Sequence, residues 1–346
     1  IKADGSSAEQ LIYAAECNIK NLTPSNSRDR IAFVRGNHQV MNLNTADNSV
    51  EKVADAQFWS YGTYTLNFSP DDQYLAFEAK NLFEGEIYIY SFRDKKLHNL
   101  TNSACSEGSP VFSPDGKYLY MAADFYATTY PRGGGEAKIY KLPLDRYNTK
   151  PFKSDVYDKL FEEDKKGEKG AEKSDAVQVK IDFEDILRRA VPMDISARSV
   201  EIVKTKEKSY LLYSSRRSTF SLEISDPEAK PKEIKGLSWG YFISSEKDLY
   251  FVGRDGISKV DLNSGKATKV EIKVPVEKDV RKEFEQMFYE AWASMDQNFY
   301  DVDFHGVDWA AKRDYYAKFL PYVRSRTNLI TLMTDMLGEL NSSHLG

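Results

Sequence analysis

Histidine and cysteine are scarce in this sequence, with four of the first and two of the second among 346 residues. Cys17 and Cys105 stand far apart without metal-type spacing, which excludes a disulfide scaffold and a cysteine-rich zinc site and leaves room for one bridge. His38, His98, His305 and His344 form no His-x-x-x-His pair, so neither a metal nor a cofactor is called for. Excess positive charge is missing as well: 48 Lys and Arg face 53 Asp and Glu, with no basic block to track phosphates, which argues against nucleic acid as a partner. No run approaches the ~20 apolar residues that a helix needs to span a bilayer. Ile1 is preceded by no initiator Met and opens no signal-peptide pattern, so the chain reads as a piece of something longer. No Gly-x-Ser-x-Gly elbow occurs, which excludes a nucleophilic serine held by that device within these residues.

Aromatic residues, by contrast, are plentiful. The 22 Tyr and 19 Phe favour pleated, half-buried surfaces and predict that strands dominate. "FSPDDQYLAF" at Phe68–Phe77 recurs as "FSPDGKYLYM" at Phe112–Met121, 44 residues later, and 44 residues before Leu75 stands Ile31 of "IAF". Ser113-Pro114-Asp115-Gly116 has the residues that a type I turn wants. A turn followed by an apolar strand is thus repeated, with second strands at Glu86–Phe92 and Ala137–Leu142 and weaker copies at Tyr210–Tyr213 and Asp248–Phe251. Such a period, with several short strands per unit, predicts a mainly β fold: a β-propeller of about six or seven four-stranded blades over residues 1–275, its ring not necessarily complete. "DKLFEEDKKGEKGAEKSD", Asp158–Asp175, is charged with both signs and has little to bury, so a solvated insertion is expected over about 153–178.

The hydrophobic period changes near residue 276. Val280, Phe284, Met287, Phe288, Ala291, Trp292, Met295 and Phe299 follow helical steps of three and four. Asp308 can cap a second helix that Pro321 interrupts or ends, and Thr327 a third carrying Leu329, Met333, Met336, Leu337 and Leu340. A small α-helical subdomain over 276–346 is therefore expected to follow the propeller.

The exit of that third helix reads Ser342-Ser343-His344. A histidine there can cap free carbonyls at the negative end of the helix dipole. It can also serve as a general base, because imidazole titrates near neutral pH, but it then needs a nucleophile within reach. Ser343 is a poor nucleophile for its own neighbour, since adjacent side chains point apart, which leaves it free to orient the ring. His305 in "HGVDW" reads as a loop between helices, His38 and His98 lack a partner pattern, and Asp182, Glu184 and Asp185 read as surface carboxylates.

The "FSPDG" turns, then "VKIDFEDILRRAVPM", "EAWASMDQNFYD", "FHGVDWAAKRDYY", "VRSRTNLITLMTDMLGEL" and "SSHLG" in that order resemble the tricorn protease family over essentially the whole chain. The resemblance implies that family's second propeller and the first part of its helical catalytic subdomain. His344 then matches the catalytic histidine and Ser343 the serine before it in a Ser-His-Ser-Glu tetrad. The nucleophilic serine, the glutamate and a PDZ domain would come after Gly346, so the chain alone would be inactive. Oligopeptide substrates, a homo-oligomeric ring and a cytoplasmic location are implied in the same way, with an exported relative as the alternative. The rival reading is a TolB-like or WD-repeat-like propeller that binds protein partners without catalysis.

Overall fold

The computed structural model describes residues 6–59, 64–125, 137–148, 177–205, 208–215, 218–226, 228–237, 240–245, 248–273, 275 and 277–343. The chain divides into two compact units, Ile1–Glu271 and Ile272–Gly346. The first is a five-bladed β-propeller, each blade a four-stranded antiparallel sheet of strands consecutive in sequence. Blade one holds β1 (Ile19–Pro24), β2 (Arg30–Arg35), β3 (Gln39–Asn44) and β4 (Val50–Asp55). Blade two holds β5 (Leu66–Phe68), β6 (Tyr74–Asn81), β7 (Glu84–Ser91) and β8 (Lys96–Asn99). Blade three holds β9 (Glu107–Phe112), β10 (Tyr118–Ala123), β11 (Lys138–Pro143) and β12 (Val191–Ser196). Blade four holds β13 (Val200–Lys204), β14 (Ser209–Ser215), β15 (Ser218–Glu223) and β16 (Lys232–Ile234), and blade five β17 (Gly240–Ser244), β18 (Leu249–Gly253), β19 (Gly256–Asp261) and β20 (Lys266–Lys269).

The expectation of six or seven blades is therefore wrong: the described residues form five. It assumed a constant period from Ile1, but among the described residues no strand precedes Ile19, and blade three spreads from Glu107 to Ser196 because a long segment separates β11 from β12. The charged insertion expected over 153–178 lies, through residue 176, outside the described residues.

Strand alternation feeds two cores from one sheet. In β6, Leu75, Phe77 and Ala79 join the core shared with blade one, whereas Ala76 faces the core shared with blade three. In β10, Leu119, Met121 and Ala123 face blade two while Tyr120 and Ala122 face blade four. A fourth core joins blades four and five through Val203, Leu212, Leu249 and Phe251. Because the sheets of blades two, three and four are covered on both faces by their neighbours, their inner strands read as near-continuous apolar runs.

The repeated turn recurs in the structure. Arg28, Asp72 and Gly116 donate their amides to the carbonyls of Ser25, Ser69 and Ser113 at 3.1, 2.8 and 2.9 Å, and all three have positive φ, at 65°, 55° and 70°. In each copy the serine Oγ also accepts the amide five residues on, from Arg30, Tyr74 and Tyr118. The left-handed fourth position explains Gly116, where a Cβ would also come within 2.8 Å of Val179 Cγ2. At the equivalent position Asp72 uses its side chain instead. Its carboxylate accepts the amides of Asn26 and Ser27, Asn26 Nδ2 and Ser27 Oγ, each at 2.8 Å, and so staples blade two to the turn of blade one. Burial opposes ionisation of Asp72, yet these donors outweigh it and hold the carboxyl below the usual carboxylate range.

The seam between blades two and three carries a different acid. Glu107 is 2% exposed; its Oε1 accepts from Ser103 Oγ, while Oε2 has no protein partner. Burial, opposed by the Ser103 and Thr101 hydroxyls, pushes its carboxyl up to about 7. Nearby, Glu86 accepts from Asn81 and Asn99.

Candidate functional site: the exit of the helical unit

The second unit contains α1 (Val280–Asn298), α2 (Trp309–Ala317) and α3 (Arg326–Gly338). Asp279 caps α1 by accepting the Arg281 and Lys282 amides, and Asp308 caps α2 by accepting that of Ala311 at 2.9 Å. The third cap is Ser325, not Thr327: its Oγ accepts the Asn328 amide at 3.2 Å, and Thr327 already lies inside the helix. Helix α2 ends at Ala317, and Pro321 sits instead in a short 3-10 turn, Leu320–Tyr322.

Phe284, Phe288, Trp309, Val323, Leu329, Met336 and Leu340 form the core, with Met287, Trp292 and Met295 packed against it. The two tryptophans interlock, since Trp292 Nε1 donates to the Trp309 carbonyl at 2.9 Å and Trp309 Nε1 to the Trp292 carbonyl at 3.3 Å. Phe299 stacks on Phe304, and Phe304 on Trp309, so the connection between α1 and α2 folds back onto the core.

Two anchors fix the end of α3. Glu339 accepts from Lys312 Nζ at 2.6 Å and from the Tyr316 hydroxyl at 2.9 Å. The Lys312 ammonium and the Tyr316 hydroxyl hold the Glu339 carboxyl below its ordinary range. Burial and the Glu339 carboxylate push the Tyr316 hydroxyl up to about 12. The next residue, Leu340, is 0% exposed, and its carbonyl accepts from His305 Nδ1 at 2.7 Å. Asn341 then turns left-handed at φ 44°, its amide donating to the Gly338 carbonyl, and the chain leaves through half-buried Ser342 and exposed Ser343. His344 lies outside the described residues.

Among the described residues no nucleophile, base and orienting group are brought together, and no group of three or more His, Cys, Asp and Glu could hold a metal ion. Among the remaining candidates, His98, Asp182 and Glu184 have structural partners. His98 stacks on Phe183, with ring centroids 3.8 Å apart. Arg146 engages both Asp182, through Nε, and Glu184, its Nη2 reaching Glu184 Oε2 at 2.7 Å; the bond from Nε to Asp182 lowers the Asp182 pKa despite some desolvation. Cys17 and Cys105 are free thiols. What the sequence did not reveal is His305 as the group on Leu340, because a contact spanning 35 residues leaves no local pattern.

Five blades and a three-helix unit with a pinned exit define a propeller chain with a helical appendage. Residues 280–338, most of that appendage, match the family model described as the tricorn protease C1 domain. A tricorn-like protease C-terminal subunit from Sulfurisphaera tokodaii is 26% identical over 308 residues, covering 81% of this chain and 34% of that protein. Tricorn protease homolog 1 from Streptomyces coelicolor is 23% identical over 99% of this chain and 35% of its own length. Among solved structures the tricorn protease superposes with a TM-score of 0.67 at 16% identity, over 94% of this chain and 33% of that one, which is a likeness of fold. Together these matches establish tricorn-protease-family homology. The chain spans about a third of the length of these relatives. Among the described residues no helix is long and apolar enough to cross a membrane.

Proposed function

We propose that this chain is the propeller and the first helical part of the catalytic domain of a tricorn-like serine peptidase acting on oligopeptides. His344 is the general base and Ser343 the group that orients its ring. The nucleophilic serine, a glutamate and a PDZ domain are supplied from outside these residues. In the reaction the serine Oγ attacks the scissile carbonyl carbon while its proton passes to His344. The oxyanion collapses with expulsion of the amine, which takes that proton, and water then cleaves the acyl-enzyme by the same route. The propeller admits short or unfolded peptides, and assembly into a homo-oligomeric ring in the cytoplasm is part of the same reading.

The observation that supports this most is that the family match ends at Gly338 and Ser343-His344 follows five residues later, after an exit pinned on both Glu339 and Leu340. The capping role that would otherwise account for a histidine here is filled, at the Leu340 carbonyl, by His305. The test is His344→Ala in the complete parent protein. Peptide hydrolysis should fall roughly 10³-fold or more with the melting temperature unchanged; retained hydrolysis would remove the base assignment.

A further inference from the structure

His305 sits in backbone that most residues avoid. Phe304, His305 and Gly306 are left-handed in succession, at φ 50°, 55° and 79°. Such conformations in non-glycine residues cost on the order of 1–2 kcal/mol each and persist only where neighbours impose them. The Asp301 carboxylate imposes this one, accepting the Asp303 amide at 3.1 Å and the His305 amide at 3.0 Å. The result is to aim the imidazole across to the end of α3. Nδ1 meets the Leu340 carbonyl, and because a carbonyl can only accept, Nδ1 must carry the proton. In the neutral ring the Tyr300 hydroxyl then donates to Nε2 and fixes that tautomer. Phe299 packs edge-on against the ring, with centroids 5.2 Å apart.

From these contacts we infer that His305 is a positioning residue for the histidine four places after Leu340. This rests on the reading of His344 as general base. Leu340 carries the last anchored carbonyl, among the described residues, before the chain turns out at Asn341, so the origin from which Ser342 and Ser343 extend is set there. Its side chain is held by the core, and the Asn341 amide of the same peptide unit donates to the Gly338 carbonyl at 3.0 Å. The bond from Nδ1 holds the carbonyl edge of that unit, so the plane is tied at both edges, and with it the direction in which the following residues leave the bundle. A general base needs such placement, since an error of 1 Å at the reacting atoms can cost about 100-fold in rate.

The test uses the complete parent protein, assayed for peptide hydrolysis well below each variant's melting temperature. His305→Phe keeps the ring and removes the donor: kcat is expected to fall about tenfold or more, toward that 100-fold bound, with KM unchanged. His305→Asn puts an amide N–H where Nδ1–H stood and tolerates the left-handed backbone, so it should restore kcat to within about threefold of the parent. A residue needed for folding alone would lower melting temperature in both variants without splitting kcat from KM, and Asn would not rescue. If His344→Ala is inactive while His305→Phe turns over at the parent kcat, the positioning role is overturned and the base reading stands. If His344→Ala is active, the base reading itself has failed. Should His305→Phe not fold, His305→Asn against His305→Asp carries the test, because Asp keeps the size and the left-handed tolerance of Asn but has no donor for the Leu340 carbonyl. kcat should be about tenfold lower for the Asp variant than for the Asn variant, and equal values would overturn the proposal.

Discussion

The propeller and the helical unit satisfy their polar groups in opposite places. In the propeller the decisive polar side chains are buried at seams between blades: Asp72 is 6% exposed and Glu107 2%. In the helical unit they lie at helix ends in contact with water, as Asp279, Asp308 and Ser325 do at the three N-termini. A sheet that is covered on both faces must deal with turns and strand starts inside the protein, where an unpaired group keeps its full desolvation cost. A helix exposes its ends, and a cap there competes only with solvent. The propeller should therefore carry the pH dependence, and polar substitutions in the helical unit should cost less.

What both regions share is apolar packing, which sets the largest expected effects. Phe77 at the seam of blades one and two and Phe288 in α1 are each 0% exposed. Alanine at either should cost about 3–5 kcal/mol. Far-UV circular dichroism on heating should show loss of sheet signal for Phe77→Ala and of helix signal for Phe288→Ala. Equal loss of both signals in both variants would erase the contrast between the regions.

Glu107 gives the next largest effect, and its sign is opposite to that of most acids. Its folded pKa of about 7 lies above the ordinary 4.5, so the native state holds a proton that the unfolded chain releases. Its contribution is full below 4.5 and is lost as pH rises to and beyond 7. The loss is on the order of 3 kcal/mol by pH 8. Denaturant melts of the parent should weaken over that range relative to Glu107→Gln, which has nothing to titrate; parallel pH profiles would show that the seam is wetter than its burial implies. Asp72 runs the other way. Its folded pKa is depressed, so its contribution is present at neutral pH and is lost as pH falls through the folded value. Asp72→Ala should cost about 1–3 kcal/mol at neutral pH and little in acid.

The same contrast explains how much could be read from sequence. The blade repeat was legible because the seam turn imposes Ser at its first position and a left-handed residue at its fourth, met by Gly116 in one copy and Asp72 in another. The helices were legible from the period of Phe284, Phe288 and Trp292. Blade number was not, because the count depends on connections between strands, and the one between β11 and β12 has no counterpart in the other blades. In the helical unit the Asp308 cap was legible, whereas the cap of α3 is Ser325 and not Thr327, because two hydroxyl residues lie within reach of one helix start. His305 on Leu340 and the Lys312–Glu339–Tyr316 clamp join residues on separate elements, which no local pattern encodes.

The smallest expected effect is also the sharpest test of the comparison. Asp308 accepts one amide, that of Ala311, at a solvent-facing helix start. Asp308→Ala removes one hydrogen bond and one favourable charge at the positive end of the α2 dipole, while water can replace the lost acceptor. The cost should be about 1 kcal/mol. Asp72 accepts four donors with little access to water, so its replacement leaves groups of Asn26 and Ser27 that solvent cannot readily reach. Both substitutions delete one carboxylate, and the contrast predicts that the seam costs more. Measured by denaturant melts at one pH, a cost for Asp308→Ala equal to or above that of Asp72→Ala would mean that water enters the seam as freely as it reaches a helix end.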